Sequence, residues 1–170
     1  MTTMTRAGSS PTATDSQLFL LKRVQPALSG LMDGSLSTLA PIFAVILATH
    51  HPLTAFYTGA ATALGAGVSM AFSEGLSDTG DLTGRGRPYL RGAITGFGTF
   101  LGGVLHTLPF LISQYRVAVL LALAAMAFEL LALAWIRRRF FGTGFASSLL
   151  SVTLAGAVIA TISAALGAAR

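Results

Sequence analysis

The stretch VAVLLALAAMAFELLALAWI, Val117 to Ile136, holds a single ionisable side chain, Glu129, in a run as long as a bilayer crossing. A transmembrane helix needs about 20 predominantly apolar residues, because each residue advances the chain by about 1.5 Å. Four further runs of similar character surround it, at about 26–49, 53–75, 89–112 and 147–166. The reading is therefore an all-α integral membrane protein with five transmembrane helices per subunit. Composition agrees. Of the 170 residues, 53% are hydrophobic and 10% charged, and the mean hydropathy of +0.72 excludes an ordinary water-soluble domain.

The segments between the runs are short and polar. His50, His51 and Pro52 form a tight turn, and SDTGDLTGRGRP (Ser77–Pro88) reads as a loop from its Gly, Asp and Pro content. Residues 1–24 are expected to be a disordered, polar cytoplasmic tail, and 25–170 the five-helix domain. The tail lacks a charged segment followed by an apolar one, so a signal peptide is not expected there. Basic residues accumulate in short cytoplasmic loops. Arg6, Lys22, Arg23, Arg85, Arg87, Arg91 and Arg137–Arg139 fall on one side of the runs, against Arg116 and Arg170 on the other. This places the N-terminus in the cytoplasm and the C-terminus outside. The Arg85/Arg87 loop and the triple-Arg loop read as topology determinants that touch lipid phosphates. The formal charge of +5 is spread over these loops and carries no nucleic-acid motif.

Several chemistries are excluded. There is no Cys, hence no disulfide, thiolate metal site or cysteine nucleophile. There is no Asn, hence no N-glycosylation sequon. No nucleophile elbow and no H-E-x-x-H stands in the chain, so an enzyme is not expected. Rows of small residues recur instead: Gly59, Ala63 and Gly67; Gly92 with Gly96 and Gly98 with Gly102; Gly156, Ala160 and Ala164. Such rows let helix backbones approach closely where lipid supplies no hydrophobic drive for association. Five short helices barely enclose a polar pathway, which points to a homodimer.

Three carboxyl groups fall within the runs, where each costs several kcal/mol unless paired, protonated or bound to a cation. They are Asp33, Glu74 and Glu129. Asp33 lies roughly 10 Å from the cytoplasmic start of the first run, and Glu74 returns to the same level on the second, with Met70 one turn away on the same face. Met32, Asp33, Met70 and Glu74 are expected to converge. Carboxylate oxygen with thioether sulfur favours Fe²⁺ or Mn²⁺ over Mg²⁺ and Ca²⁺. Against this, Met32 and Met70 also serve as apolar lining, and Glu74 can snorkel to the interface. Gly34 and Pro41 predict a bent or broken first helix that frees carbonyls near Asp33. Glu129, roughly 18 Å into the fourth run, has no basic partner in its own helix and suits a proton carrier; Met126 stands one turn earlier. A hydrogen bond to a neighbouring helix is the plainer alternative. His106, near the outer end of the third run, is a second proton or cation stepping stone, or is satisfied locally.

The stretches SGLMDGSLSTLAP (Ser29–Pro41), GAGVSMAFSEGLSD (Gly65–Asp78) and GGVLHTLPFLI (Gly102–Ile112), with the Gly/Ala-rich fifth run, together resemble the vacuolar iron transporter family. The similarity is greatest to the transmembrane half of bacterial membrane-bound ferritin-type iron exporters and extends from about Gln25 to Gly167. The resemblance implies a dimer of five-helix subunits in the bacterial inner membrane. It would move Fe²⁺, and Mn²⁺ with it, out of the cytoplasm in exchange for protons. Asp33 matches the family's first-helix aspartate on the translocation path, Met70 its second-helix methionine, and Glu74 the acidic position that follows. The metal is then substrate, and no permanently bound cofactor is implied. Two departures stand out. The short Ser77–Pro88 loop replaces the glutamate-rich metal-binding domain of eukaryotic-type members, and the tail has no Glu or His, as a ferritin-like domain would. A separate metal-donating partner would fill that role. Many members also have Pro where this chain has His106. Exporting a divalent cation against about −150 mV costs about 7 kcal/mol, and with no phosphate-binding G-x-x-x-x-G-K-[ST] motif protons are the available driving force. The alternative function is a non-transporting scaffold or metal sensor of the same fold.

Overall fold

The computed structural model describes residues 14–168 apart from Leu82, with the side chains at 164 and 166–168 excepted. Residues 1–13 of the expected tail, with Arg6, and the terminal Arg170 lie outside the described residues. The chain forms α1 (Asp15–Phe19), a π-helical turn (Leu20–Val24), α2 (Gln25–Ser37), α3 (Leu39–Thr49) and α4 (Pro52–Ser77). Then come α5 (Pro88–Leu105), a 3₁₀ turn (Leu108–Leu111), α6 (Tyr115–Phe141) and α7 (Phe145–Ala168). The first correction to the sequence reading is local. Residues 15–24, assigned to the disordered tail, are helical and run without a gap into α2, because Leu18, Leu20, Leu21 and Val24 supply apolar positions at helical spacing.

Four helical stretches are long and apolar enough to cross a membrane: Asp15–Thr49, Pro52–Ser77, Tyr115–Phe141 and Phe145–Ser163. The molecule is thus an all-helical, multi-pass membrane protein. The expected third span is not among the four. Its helix, α5, is diluted by Gly92, Gly96, Gly98, Gly102, Gly103, two threonines and Arg91. Its setting accounts for that composition. α5 is wedged between α2 and α4, so most of its surface meets protein rather than lipid and polar or small residues carry little penalty there.

Glycine makes the wedge possible. A Cβ on Gly34 would collide with the Thr99 carbonyl, and one on Gly102 would stand 3.0 Å from the Ser35 nitrogen. On the opposite side of α5, Gly67 and Gly96 bring the α4 backbone equally near. The partners increase together along α2 and α5, so these two helices are parallel, whereas α4 runs antiparallel to α5. Ile42 and Ile46 pack with Ala118 and Ala122 of α6, while Leu28 packs with Leu133 of α6 and Val152 of α7. α6 therefore descends beside α2–α3, and α7 rises beside them.

The first long helix is parted at Thr38, between α2 and α3. Pro41 has no N–H for the Ser37 carbonyl and its ring crowds that oxygen, so the regular ladder fails one turn before it. The interruption anticipated from Gly34 and Pro41 is present at that point. Outward faces remain apolar: Leu64, Val68 and Phe72 on α4, Phe128 and Trp135 on α6, Leu154 and Ile162 on α7 are all exposed, as lipid-facing or subunit-facing surfaces are.

Candidate functional site

A second helix stops at the same depth as the break at Thr38. α5 ends at Leu105, and His106 caps it with φ −84° and ψ −2°, the bridge region in which a helix terminates. Pro109 then forces the 3₁₀ turn. The two interruptions meet side chain to side chain. His106 Nε2 lies 2.8 Å from Thr38 Oγ1, and His106 Nδ1 lies 3.1 Å and 3.3 Å from the two carboxyl oxygens of Glu129 on α6. Thr38 is fully buried, His106 is 2% exposed and Glu129 6%, so the triad must satisfy itself without bulk water.

Donor accounting assigns the protons. Thr38 Oγ1 also lies 2.8 Å from the Gly34 carbonyl oxygen, which can only accept. A hydroxyl has one hydrogen. It therefore donates to Gly34 and accepts from Nε2–H. With the Nε2 proton spoken for, one further proton lies on the Nδ1 to Glu129 line, either on the carboxyl oxygen with a neutral ring or on Nδ1 with an imidazolium and carboxylate. Moving it changes no hydrogen-bond partner. The sequence singles out His106 and Glu129 separately, with Glu129 lacking a basic partner in its own helix and a hydrogen bond to a neighbouring helix as the alternative. That partner comes from α5, and the group that fixes the ring, Thr38, went unremarked. Met126 is half-buried one turn before Glu129.

The carboxylates nearer the basic end are arranged differently. Arg91 Nε–H donates to Glu74 Oε1 at 2.8 Å, and Arg85 reaches the same oxygen at 3.1 Å. Arg91 is 1% exposed and its remaining donors reach the carbonyls of Asp78 (3.2 Å), Glu74 and Gly86 (each 3.4 Å). One guanidinium thus ties the end of α4 to the loop. Asp78 stabilises the loop from within: Thr83 Oγ1–H and the Gly80 N–H donate to its two oxygens. Those hydrogen bonds outweigh a burial effect that raises it and, with smaller contributions from the charges of Arg91 and Arg85, hold the Asp78 carboxyl below its ordinary value.

The four-residue convergence expected of Met32, Asp33, Met70 and Glu74 is not what these contacts form. Met32 packs beside Leu28, Leu133 and Val152, toward α6 and α7. Glu74 is engaged by two arginines, which both contact Oε1 and neutralise the charge a cation would seek. Met70 is half-buried on α4, one turn from Glu74. Asp33 is half-buried and makes no ion pair among the described residues. Among the described residues, no three His, Asp or Glu side chains stand close enough to hold a metal ion together. Arg91 was counted in the sequence only as a topological charge. Its position one turn inside α5 was the available signal, since a buried arginine requires a carboxylate partner. Thr95, facing α2 from α5, has a buried hydroxyl oxygen with no hydrogen-bond partner.

No protein-family model, no curated protein and no solved structure matches the chain.

Proposed function

We propose that this chain is a proton-coupled exporter of a divalent transition metal, Fe²⁺ with Mn²⁺ as a second substrate, acting as a homodimer in a bacterial inner membrane. The observation that carries the reading is the Thr38–His106–Glu129 triad. It joins two interrupted helices to a third and holds a proton that can shift between nitrogen and oxygen. Discontinuous helices meeting at a buried ionisable group are the usual construction of a coupling site in secondary transporters. The resemblance of the Asp33, Met70 and Glu74 segments to iron transporters supplies the choice of metal. In this scheme α5 is the third of five crossings, running parallel to α2 and antiparallel to α4 within the bundle, with the N-terminus cytoplasmic and the C-terminus outside.

Asp33, without a counter-ion, is the first metal ligand, and Met70 supplies sulfur. Glu74 joins only in a conformation where Arg85 and Arg91 release it. Proton transfer between Glu129 and His106 accompanies the bending at Thr38 that alternates access. The test is flux into proteoliposomes containing a metal-sensitive dye, with and without a pH gradient. Asp33→Asn is expected to abolish uptake of both metals, and Glu129→Gln to abolish its dependence on the gradient. Wild-type flux no greater than that of empty liposomes would sink the exporter reading. It would favour the second one, a non-transporting scaffold or sensor, for which the engagement of Glu74 by two arginines speaks.

A further inference from the structure

The π-helical turn Leu20–Val24, the loop after α4 and the first turn of α5 border an open cavity of about 310 Å³, lined by the cations Lys22, Arg23, Arg85, Arg87 and Arg91 with Gly86 and Leu90. At about 30 Å³ per water molecule in the liquid, that is room for a substantial polar group. Five of its seven lining residues are cationic. Arg91 and Arg85 are balanced by Glu74, and Arg91 also lies 3.5 Å from Asp78. Lys22, Arg23 and Arg87 have no carboxylate within salt-bridge distance among the described residues. These three cations are therefore uncompensated by any carboxylate among the described residues.

The site is built rather than incidental. The Lys22 stem lies on Gly86, whose φ of +81° turns the loop back: a Cβ there would stand 3.2 Å from the Lys22 Cγ and Cδ. The five-residue π turn puts Lys22 and Arg23 side by side at its end, and such turns concentrate at functional positions. Arg87 is the residue before α5, with Pro88 opening the helix, so the unsatisfied N–H groups of that first turn add positive potential. An apolar groove begins at the same turn. Tyr89 and Ala93 of α5 with Ala71, Phe72, Gly75 and Leu76 of α4 line a cleft of about 260 Å³, and Phe72, Leu76 and Tyr89 are exposed along it.

We propose that Lys22, Arg23 and Arg87 bind the phosphodiester of an anionic phospholipid, with Arg85 beside them and the acyl chains lying in the Phe72–Leu76–Tyr89 groove. A cationic cavity and an apolar cleft that both reach the first turn of α5 match an amphiphile with a negative head, which free phosphate is not. Basic pockets between membrane helices recognise such headgroups.

The test is native mass spectrometry of the detergent-purified full chain titrated with cardiolipin, phosphatidylglycerol or phosphatidylcholine, with inorganic phosphate as competitor. Wild type is expected to retain the two anionic lipids at least tenfold more tightly than phosphatidylcholine, with phosphate failing to displace them. Lys22→Gln, Arg23→Gln and Arg87→Gln should each weaken retention roughly fivefold with the lipid-free melting temperature unchanged, since none holds an ion pair. A control variant, Arg116→Gln, which neutralises an exposed arginine at the start of α6, should retain lipid as wild type does. Equal binding of phosphatidylcholine, displacement by phosphate, or an equal loss in the control would each overturn the proposal. If a single Gln variant lowers the melting temperature, the remaining two decide.

Discussion

Glu129→Gln interrogates the proton arrangement of the buried triad directly. In the native protein Thr38 donates to Gly34, so His106 carries its proton on Nε2 and, in the neutral ring, offers Nδ1 as an acceptor. A glutamine amide at 129 places an N–H donor where the carboxyl stood, 3.1 Å from Nδ1. All three hydrogen bonds survive, and the cost should be below about 1 kcal/mol. Glu129→Leu fills similar space but leaves Nδ1 buried without a partner, a penalty of about 1–3 kcal/mol. The two variants should therefore differ by about 2 kcal/mol in equilibrium unfolding from mixed micelles. The assay has a second readout in ¹⁵N NMR of histidine-labelled protein. With only three histidines, two of them exposed at the turn after α3, the His106 signals are separable. Glu129→Gln should show a protonated Nε2 and a bare Nδ1. A protonated Nδ1 in that variant, or a Gln variant as unstable as the Leu variant, would refute the donor accounting.

Three further outcomes follow from the packing and the loop. Arg91→Met removes the buried guanidinium from Glu74 and three carbonyls; breaking a buried pair costs about 3–5 kcal/mol, and the retained Arg85 contact should keep it near the lower figure. The double variant Arg91→Met/Glu74→Met should recover part of that loss in thermal unfolding, and a double variant less stable than Arg91→Met alone would contradict the pairing argument. Gly34→Ala drives a Cβ into the Thr99 carbonyl and should cost about 1–3 kcal/mol, whereas Gly65→Ala, with open space around it, should be neutral or slightly stabilising; equal melting temperatures would mean α2 and α5 are not in close contact. The folded Asp78 value lies below its ordinary 3.8, so its stabilisation of the loop is fully present above that value and is lost as pH falls through the folded one. Thr83→Val removes the largest cause and should raise the Asp78 midpoint toward 3.8 in a ¹³C carboxyl titration; an unmoved midpoint would assign the shift to the Gly80 N–H and the arginines instead.

What the sequence determined by itself was whatever depends on local composition. The run around Glu129, the break at Pro41, the turn at His50–Pro52 and the loop from Ser77 are matters of hydropathy, a missing N–H and turn chemistry, all carried by neighbours along the chain. Each recurs in the structure within a few residues. Residues 15–24 escaped that reading because their few apolar positions, interrupted by Lys22 and Arg23, do not stand out as a run although they fall at helical spacing. The third run was legible as apolar, yet its glycines had two tasks, one stripe toward α2 and another toward α4, and only the packing tells them apart. The site lies further from the sequence still. His106 and Glu129 are 23 positions apart and Thr38 and His106 are 68, and nothing along the chain announces that two helix ends and the middle of a third arrive at one depth. Glu74 shows the same principle in reverse. Its spacing from Met70 suits a metal ligand, but Arg91, 17 residues later, reaches it first. A carboxyl group's chemistry is set by the charge and the donors within a few ångströms of it, and for a buried group those come from other helices.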